Sequence, residues 1–169
     1  MMPFGKTLTQ KSYNKVIDRL QFHQLTCTCG MSGCMTVHGY YGRTVKTEAG
    51  DISLTVCRVR CSHCGRTHAL LPSLLVPYSQ VPLEDQAAII TSRGGDRDYS
   101  GVMERVPSID ENLVGSIIRR YVRHWEQKLR SFRISLSPPG KLVEGCFSHF
   151  MMQFMQIRQT PNTLFAATT

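Results

Sequence analysis

Cys61-Ser62-His63-Cys64-Gly65 is the stretch of the chain best equipped for chemistry. Two thiolates two residues apart can grip one tetrahedral zinc ion from a single tight turn. The glycine after the second lets the backbone bend round the sulfur. A second half-site lies upstream, in Cys27-Thr28-Cys29-Gly30, with Cys34 close behind. Its spacing is irregular: one residue separates Cys27 from Cys29, and four separate Cys29 from Cys34. The preferred pair is Cys27 with Cys29, because Gly30 then follows the second ligand as Gly65 follows Cys64; Cys34 is the alternative ligand. The expected metal set is therefore Cys27, Cys29, Cys61 and Cys64. His38 is a further substitute and His63 a weaker one, since a lone histidine in a β-rich segment is more often a surface or packing residue.

Cys57 and Cys146 read as packing thiols. Cys57 lies four residues before Cys61, about 13 Å away at the rise of a strand. A closed four-sulfur site has no open position for water. No glutamate stands near the cysteines as in a zinc hydrolase or deaminase. The zinc is expected to be structural, its binding supplying folding free energy, and the chain is expected not to be an enzyme.

The elements that must carry these groups can be read from patterning. Met35–Val45 and Ile52–Cys61 read as two strands joined by a turn at Thr47-Glu48-Ala49-Gly50-Asp51. Ile52, Leu54 and Val56 alternate with Ser53 and Thr55, the period of a half-buried strand. Two cysteine knuckles joined by such a hairpin make a zinc ribbon. Leu8–Phe22, with Val16, Ile17 and Leu20, shows a weak helical pattern. Pro82-Leu83-Glu84-Asp85 opens a helix containing Ala87, Ala88, Ile89 and Ile90, which Gly94-Gly95-Asp96 ends. Asp98 or Ser100 then caps a short helix through Val102 and Met103, which Pro107 stops. A third helix starts at Ser108-Ile109-Asp110-Glu111, read as a capping box. It carries an apolar stripe of Leu113, Ile117, Tyr121, Trp125, Leu129 and Phe132, widened by Ile118 and Val122.

The other face of that helix is basic. Between Val114 and Arg133 stand Arg119, Arg120, Arg123, Lys128, Arg130 and Arg133, with Glu126 the only acid. The whole chain of 169 residues carries a formal charge of +8, so much of the excess sits on one helix. Arginine forks suit phosphates and guanine edges, and three helices of this relative length fit a helix-turn-helix unit. Arg119, Arg120, Arg123, Lys128 and Arg130 are the expected contacts to double-stranded DNA. There is no phosphate-loop motif, because Gly94-Gly95 lacks the lysine and hydroxyl residue that such a loop needs. After Ser137-Pro138-Pro139-Gly140, a stripe of Val143, Phe147, Phe150, Met151 and Phe154, with Met152 and Met155, predicts a last amphipathic helix. It would dock on the helical unit or on a second copy of the chain. Thr160–Thr169 reads as a frayed tail.

The expected fold class is thus α+β, with a small zinc ribbon followed by a helix-turn-helix-like unit and a C-terminal helix. Its segments are 1–25, 26–78, 79–135 and 136–169. No apolar run is long enough for a membrane span, and the N-terminus lacks the pattern of a secretory signal. Seven cysteines, an odd number in tight groups, favour a metal site over disulfides. A cytoplasmic location is expected.

Val37-His38-Gly39-Tyr40-Tyr41-Gly42-Arg43 and Cys61-Ser62-His63-Cys64-Gly65-Arg66-Thr67-His68-Ala69-Leu70-Leu71-Pro72 resemble the zinc-binding N-terminal region of several bacterial transposase families. The closest likeness is to small transposon-associated proteins grouped as a domain of unknown function. Val76-Pro77-Tyr78-Ser79 and Arg119-Arg120-Tyr121-Val122-Arg123-His124-Trp125 share in it. The resemblance implies recognition of transposon ends or related DNA. The magnesium-binding carboxylates of full transposases have no counterpart, because Asp96, Asp98, Asp110 and Glu111 sit at helix starts and turns. The expected function is a DNA-recognition module or transposon accessory factor. The alternative is an adaptor that docks to a transposase or another partner through the ribbon and the C-terminal helix.

Overall fold

Two long strands separated only by Glu48-Ala49 must run antiparallel, because so short a link cannot cross over. These are β1 (Met35–Thr47) and β2 (Gly50–Cys61). Gly50, at φ 101°, supplies a left-handed turn residue. The computed structural model describes residues 8–93, 99–157 and 163–166. Within them β3 (Thr67–Pro72) and β4 (Thr163–Ala166) complete a four-stranded sheet in the order β1-β2-β3-β4. β2 and β3 are antiparallel, with Arg58 opposite Ala69, Val59 opposite His68 and Arg60 opposite Thr67. β3 and β4 are parallel. The mixed α+β class expected from the sequence is what the chain adopts, with the sheet drawn largely from the N-terminal half and the longer helices following it.

The chain packs as two units, each assembled from separate stretches. Of the described residues, one holds 8–43, 53–73 and 163–166; the other holds 44–52, 74–93 and 99–157. In the first, α1 (Gln10–Arg19) begins at a capping box between Thr9 and Ser12, and buries Tyr13 and Ile17. The Tyr13 hydroxyl donates to the Leu70 carbonyl at 3.0 Å and accepts from the Cys57 amide at 2.8 Å. One phenol thereby ties α1 to both β2 and β3, and burial pushes its pKa well up. Cys57 is fully buried, as its reading as a packing thiol requires.

The second unit holds the larger apolar cluster. It is formed by α2 (Leu83–Ser92), α3 (Ser100–Arg105), α4 (Glu111–His124), α5 (Glu126–Ser131) and α6 (Pro139–Phe150). Trp125, Leu129, Leu142, Cys146 and Phe154 lie at its centre with Ile89 and Ile109. The hairpin tip belongs here too. The Lys46 amide donates to the Gln80 carbonyl, and Arg105 pairs with Glu48 and with the buried Asp85. Burial raises the Asp85 carboxyl above its usual range, while Arg105 pulls it back. Burial likewise lifts the Cys146 thiol to about 12, so it stays neutral.

Several local expectations are corrected. The third helix is not continuous. It breaks at Trp125 (φ −126°), which ends α4 and begins α5, because the indole is drawn fully into the core and donates to the Gln156 carbonyl. Its start is capped by Asp110 rather than by Ser108: the carboxylate accepts from the Leu113 amide at 2.7 Å. Asp110→Ala should therefore cost about 1 kcal/mol in urea unfolding, whereas Ser108→Ala removes no cap. Val122 and Phe132 are 43% and 50% exposed, so the apolar stripe is narrower than its periodicity suggested. The C-terminal helix stops at Phe150 with Met151 in the left-handed region, and Met152, Phe154 and Met155 bury themselves from the turn beyond it. Met151 points out, 74% exposed.

The stretch read as a frayed tail contains β4, paired residue for residue from Ala69–Thr163 to Pro72–Ala166. Parallel pairing with a strand so distant in sequence leaves no local trace. The short helix α3 starts after Tyr99 without a side-chain cap. Asp98 and the Gly94-Gly95-Asp96 stop fall outside the described residues.

Candidate metal centre

Each knuckle is first of all a backbone turn. In the first, the Gly30 amide donates to the Cys27 carbonyl and the Cys27 amide to the Met31 carbonyl, both at 2.8 Å. In the second, the Gly65 amide donates to the Cys61 carbonyl and the Cys61 amide to the Arg66 carbonyl, both at 2.9 Å. Gly30 and Gly65 have φ of 88° and 71°, values that side-chain-bearing residues rarely adopt. The Ser62 amide donates to the Cys34 carbonyl, lacing one knuckle to the other.

These turns aim four thiols at one point. The sulfurs of Cys27, Cys29, Cys61 and Cys64 all lie within 4.8 Å of one another. Cys27 and Cys64 are 3.6 Å apart, and Cys29 and Cys61 3.9 Å. A zinc ion bound at about 2.3 Å by four thiolates separates its sulfurs by roughly 3.8 Å, so the donor set fits a tetrahedral ion. Four such thiols could hold a metal ion.

The fifth thiol, Cys34, stands apart from that set. It is 3.2 Å from the Cys61 sulfur, closer than two sulfurs on one zinc, and it donates to the Met31 carbonyl at 3.3 Å. The Cys61 side chain first, and burial second, raise the Cys34 pKa. Cys61 is held down at about 6, chiefly by the Cys64 amide. Cys34 thus lies beside Cys61 but outside the group of four mutually close thiols.

Of the histidines, His38 is exposed on β1. His63 is exposed in the second knuckle, with Nδ1 4.0 Å from the Cys29 sulfur. His68 went unrecognised as a site residue. It is fully buried, and its Nε2 lies 3.3 Å from the Cys27 sulfur. The available signal was the alternation of β3: His68 and Leu70 share the covered face, and His68 stands opposite Val59, two residues before Cys61.

The basic residues divide by environment. Arg119 and Arg123 are exposed on α4, and Arg120 is half-buried. Lys128 lies over the Trp125 ring, 5.3 Å from its centroid, and Arg130 pairs with Glu126 at 3.0 Å. The exposed residues Asn112, Ser116, Arg119 and Arg123 follow intervals of four, three and four, which keeps them on one line of the helix opposite the buried Val114, Ile117 and Tyr121.

Residues 26–104 match a protein family described as Domain of unknown function (DUF6431). The matched region spans both knuckles, β1 to β3, α2 and nearly all of α3; it ends before α4, so it contains the thiol cluster but not the arginine line. No curated protein and no solved structure matches the chain. Among the described residues, no helix is long and apolar enough to cross a membrane.

Proposed function

We propose that the chain is a DNA-binding protein whose thiol cluster holds a structural zinc ion and whose α4 contacts the duplex. The observation that carries the reading is the line of Asn112, Ser116, Arg119 and Arg123 on the exposed face of α4. Asparagine and arginine can each make paired hydrogen bonds to base edges in the major groove, and serine adds a further donor or acceptor. α3, the turn through Val106–Asp110, and α4 stand in the order of a helix-turn-helix pair, the second helix being the reader. By the likeness of the knuckle and Thr67–Pro72 blocks to transposase N-terminal regions, transposon ends are the DNA of choice.

The metal reading rests on four thiols, Cys27, Cys29, Cys61 and Cys64, mutually close enough to share one ion. A closed set of this kind supports a structural rather than a catalytic role. Docking to a transposase or another partner through the C-terminal helix is the weaker proposal. Phe154 is fully buried and Phe150 half-buried against Trp125, so neither offers a free face.

Binding of the zinc-loaded chain to duplexes selected from a random pool, followed by fluorescence anisotropy between about 50 and 200 mM salt, tests the DNA reading. Arg119→Ala and Arg123→Ala should each weaken binding. Loss of a base-edge contact costs about 1–3 kcal/mol at one sequence position, and loss of a phosphate contact lowers the salt slope by about 1. Affinity and slope unchanged in both variants would remove α4 as the reader.

A further inference from the structure

A thiolate buried away from water needs hydrogen-bond donors, or the metal must carry the whole burden of its charge. Cys61 accepts from the Cys64 amide at 3.4 Å. Cys27 is 2% exposed, and the group against its sulfur is the His68 imidazole, at 3.3 Å through Nε2. Histidine carries a ring N–H on either nitrogen, and the distance suits an N–H donor to sulfur. His68 does not belong to the group of mutually close ligand atoms, so it touches a ligand without joining the tetrahedron. Its place is set by strand register: pairing with Val59 puts it on the covered face that Cys61 also occupies.

We infer that His68 is a positioning residue for the metal centre, its Nε2–H donating to the Cys27 thiolate and so securing a metal that it does not itself bind. This rests on the reading of the four thiols as a metal site. The hydrogen bond fixes the tautomer with the proton on Nε2. It also orients the Cys27 sulfur and removes part of its charge from the metal, as outer-shell partners of metal ligands generally do. The imidazole is thereby assigned chemistry that neither the cysteine spacing nor the match to an uncharacterised domain contains.

The full chain would be loaded with zinc, and separately with cobalt(II), as wild type, His68→Gln and His68→Leu. Zinc affinity is read by competition with a chromophoric chelator, and ligand number by the thiolate-to-cobalt bands. His68→Leu should lower zinc affinity about 10- to 100-fold, the usual penalty for losing an outer-shell partner. His68→Gln, which keeps an N–H donor, should recover most of it, and all three proteins should show the four-thiolate cobalt spectrum. In the wild type, imidazole nitrogen NMR of the zinc form should find Nε2 protonated, a measurement that does not depend on any variant folding.

Equal affinity in all three proteins overturns the inference. So does a wild-type cobalt spectrum of three thiolates and a nitrogen, or an unprotonated Nε2. A variant that loses stability but not affinity assigns His68 to packing and overturns it as well. A wild-type chain that takes up no metal overturns the parent reading first, and that outcome is seen in the metal assay before any variant is compared.

Discussion

Cys61→Ser should release the metal and unfold the knuckles with the strands they anchor. The same loss should follow when a strong chelator is added to the wild-type chain. Structural zinc in zinc-finger peptides contributes roughly 10–16 kcal/mol of apparent binding free energy at neutral pH, as much as the whole stability of a typical domain. Cys61 is held from several sides. It lies 3.9 Å from Cys29, accepts from the Cys64 amide and touches Cys34. Metal analysis should find one zinc per wild-type chain and less in the variant. Amide exchange should rise across residues 26–34 and 58–72 on chelation. Cys34→Ser, by contrast, should keep its metal, because Cys34 lies outside the tetrahedral set. Full protection of β2 and β3 after complete metal removal would show that the thiol cluster is not what holds this unit together.

The second large effect is expected in the other unit. Trp125→Ala should destabilise it by about 3–5 kcal/mol, the usual range for emptying a core aromatic site. The indole is fully buried and packs edge-on against Phe150 and Phe154, with ring centroids 5.6 and 5.5 Å away. Its N–H donates to the Gln156 carbonyl at 3.2 Å, so truncation also leaves a buried acceptor without this donor. Denaturant unfolding followed by far-UV circular dichroism gives the change in midpoint, with Val122→Ala as control. Val122 lies only three residues earlier on α4 but is 43% exposed, and its truncation should move stability by no more than about 0.5 kcal/mol. Equal effects at the two positions would contradict the division of α4 into a covered and an open face.

Where a feature depends on neighbours in the chain, the residues determined it. Cys-x-Cys-Gly and Cys-x-x-Cys-Gly each specify a turn, because glycine adopts at little cost the positive φ that follows the second sulfur. The alternation of Leu54 and Val56, and the stripe of Ile117, Tyr121, Trp125 and Leu129, likewise needed only the periods of strand and helix. These features carried the α+β class, the hairpin and the five thiols from which the close set of four is drawn. The tertiary structure decided what depends on distant partners. It separated Cys29 from Cys34, because sulfur-to-sulfur distances are set by how the two knuckles are laced, not by spacing along the chain. It brought His68 against Cys27 across 41 residues and made β4 from a stretch without a local signal. At Trp125 burial of one large side chain overrode a helical pattern continuous in the sequence, because filling a core outweighs the small cost of a break in one helix.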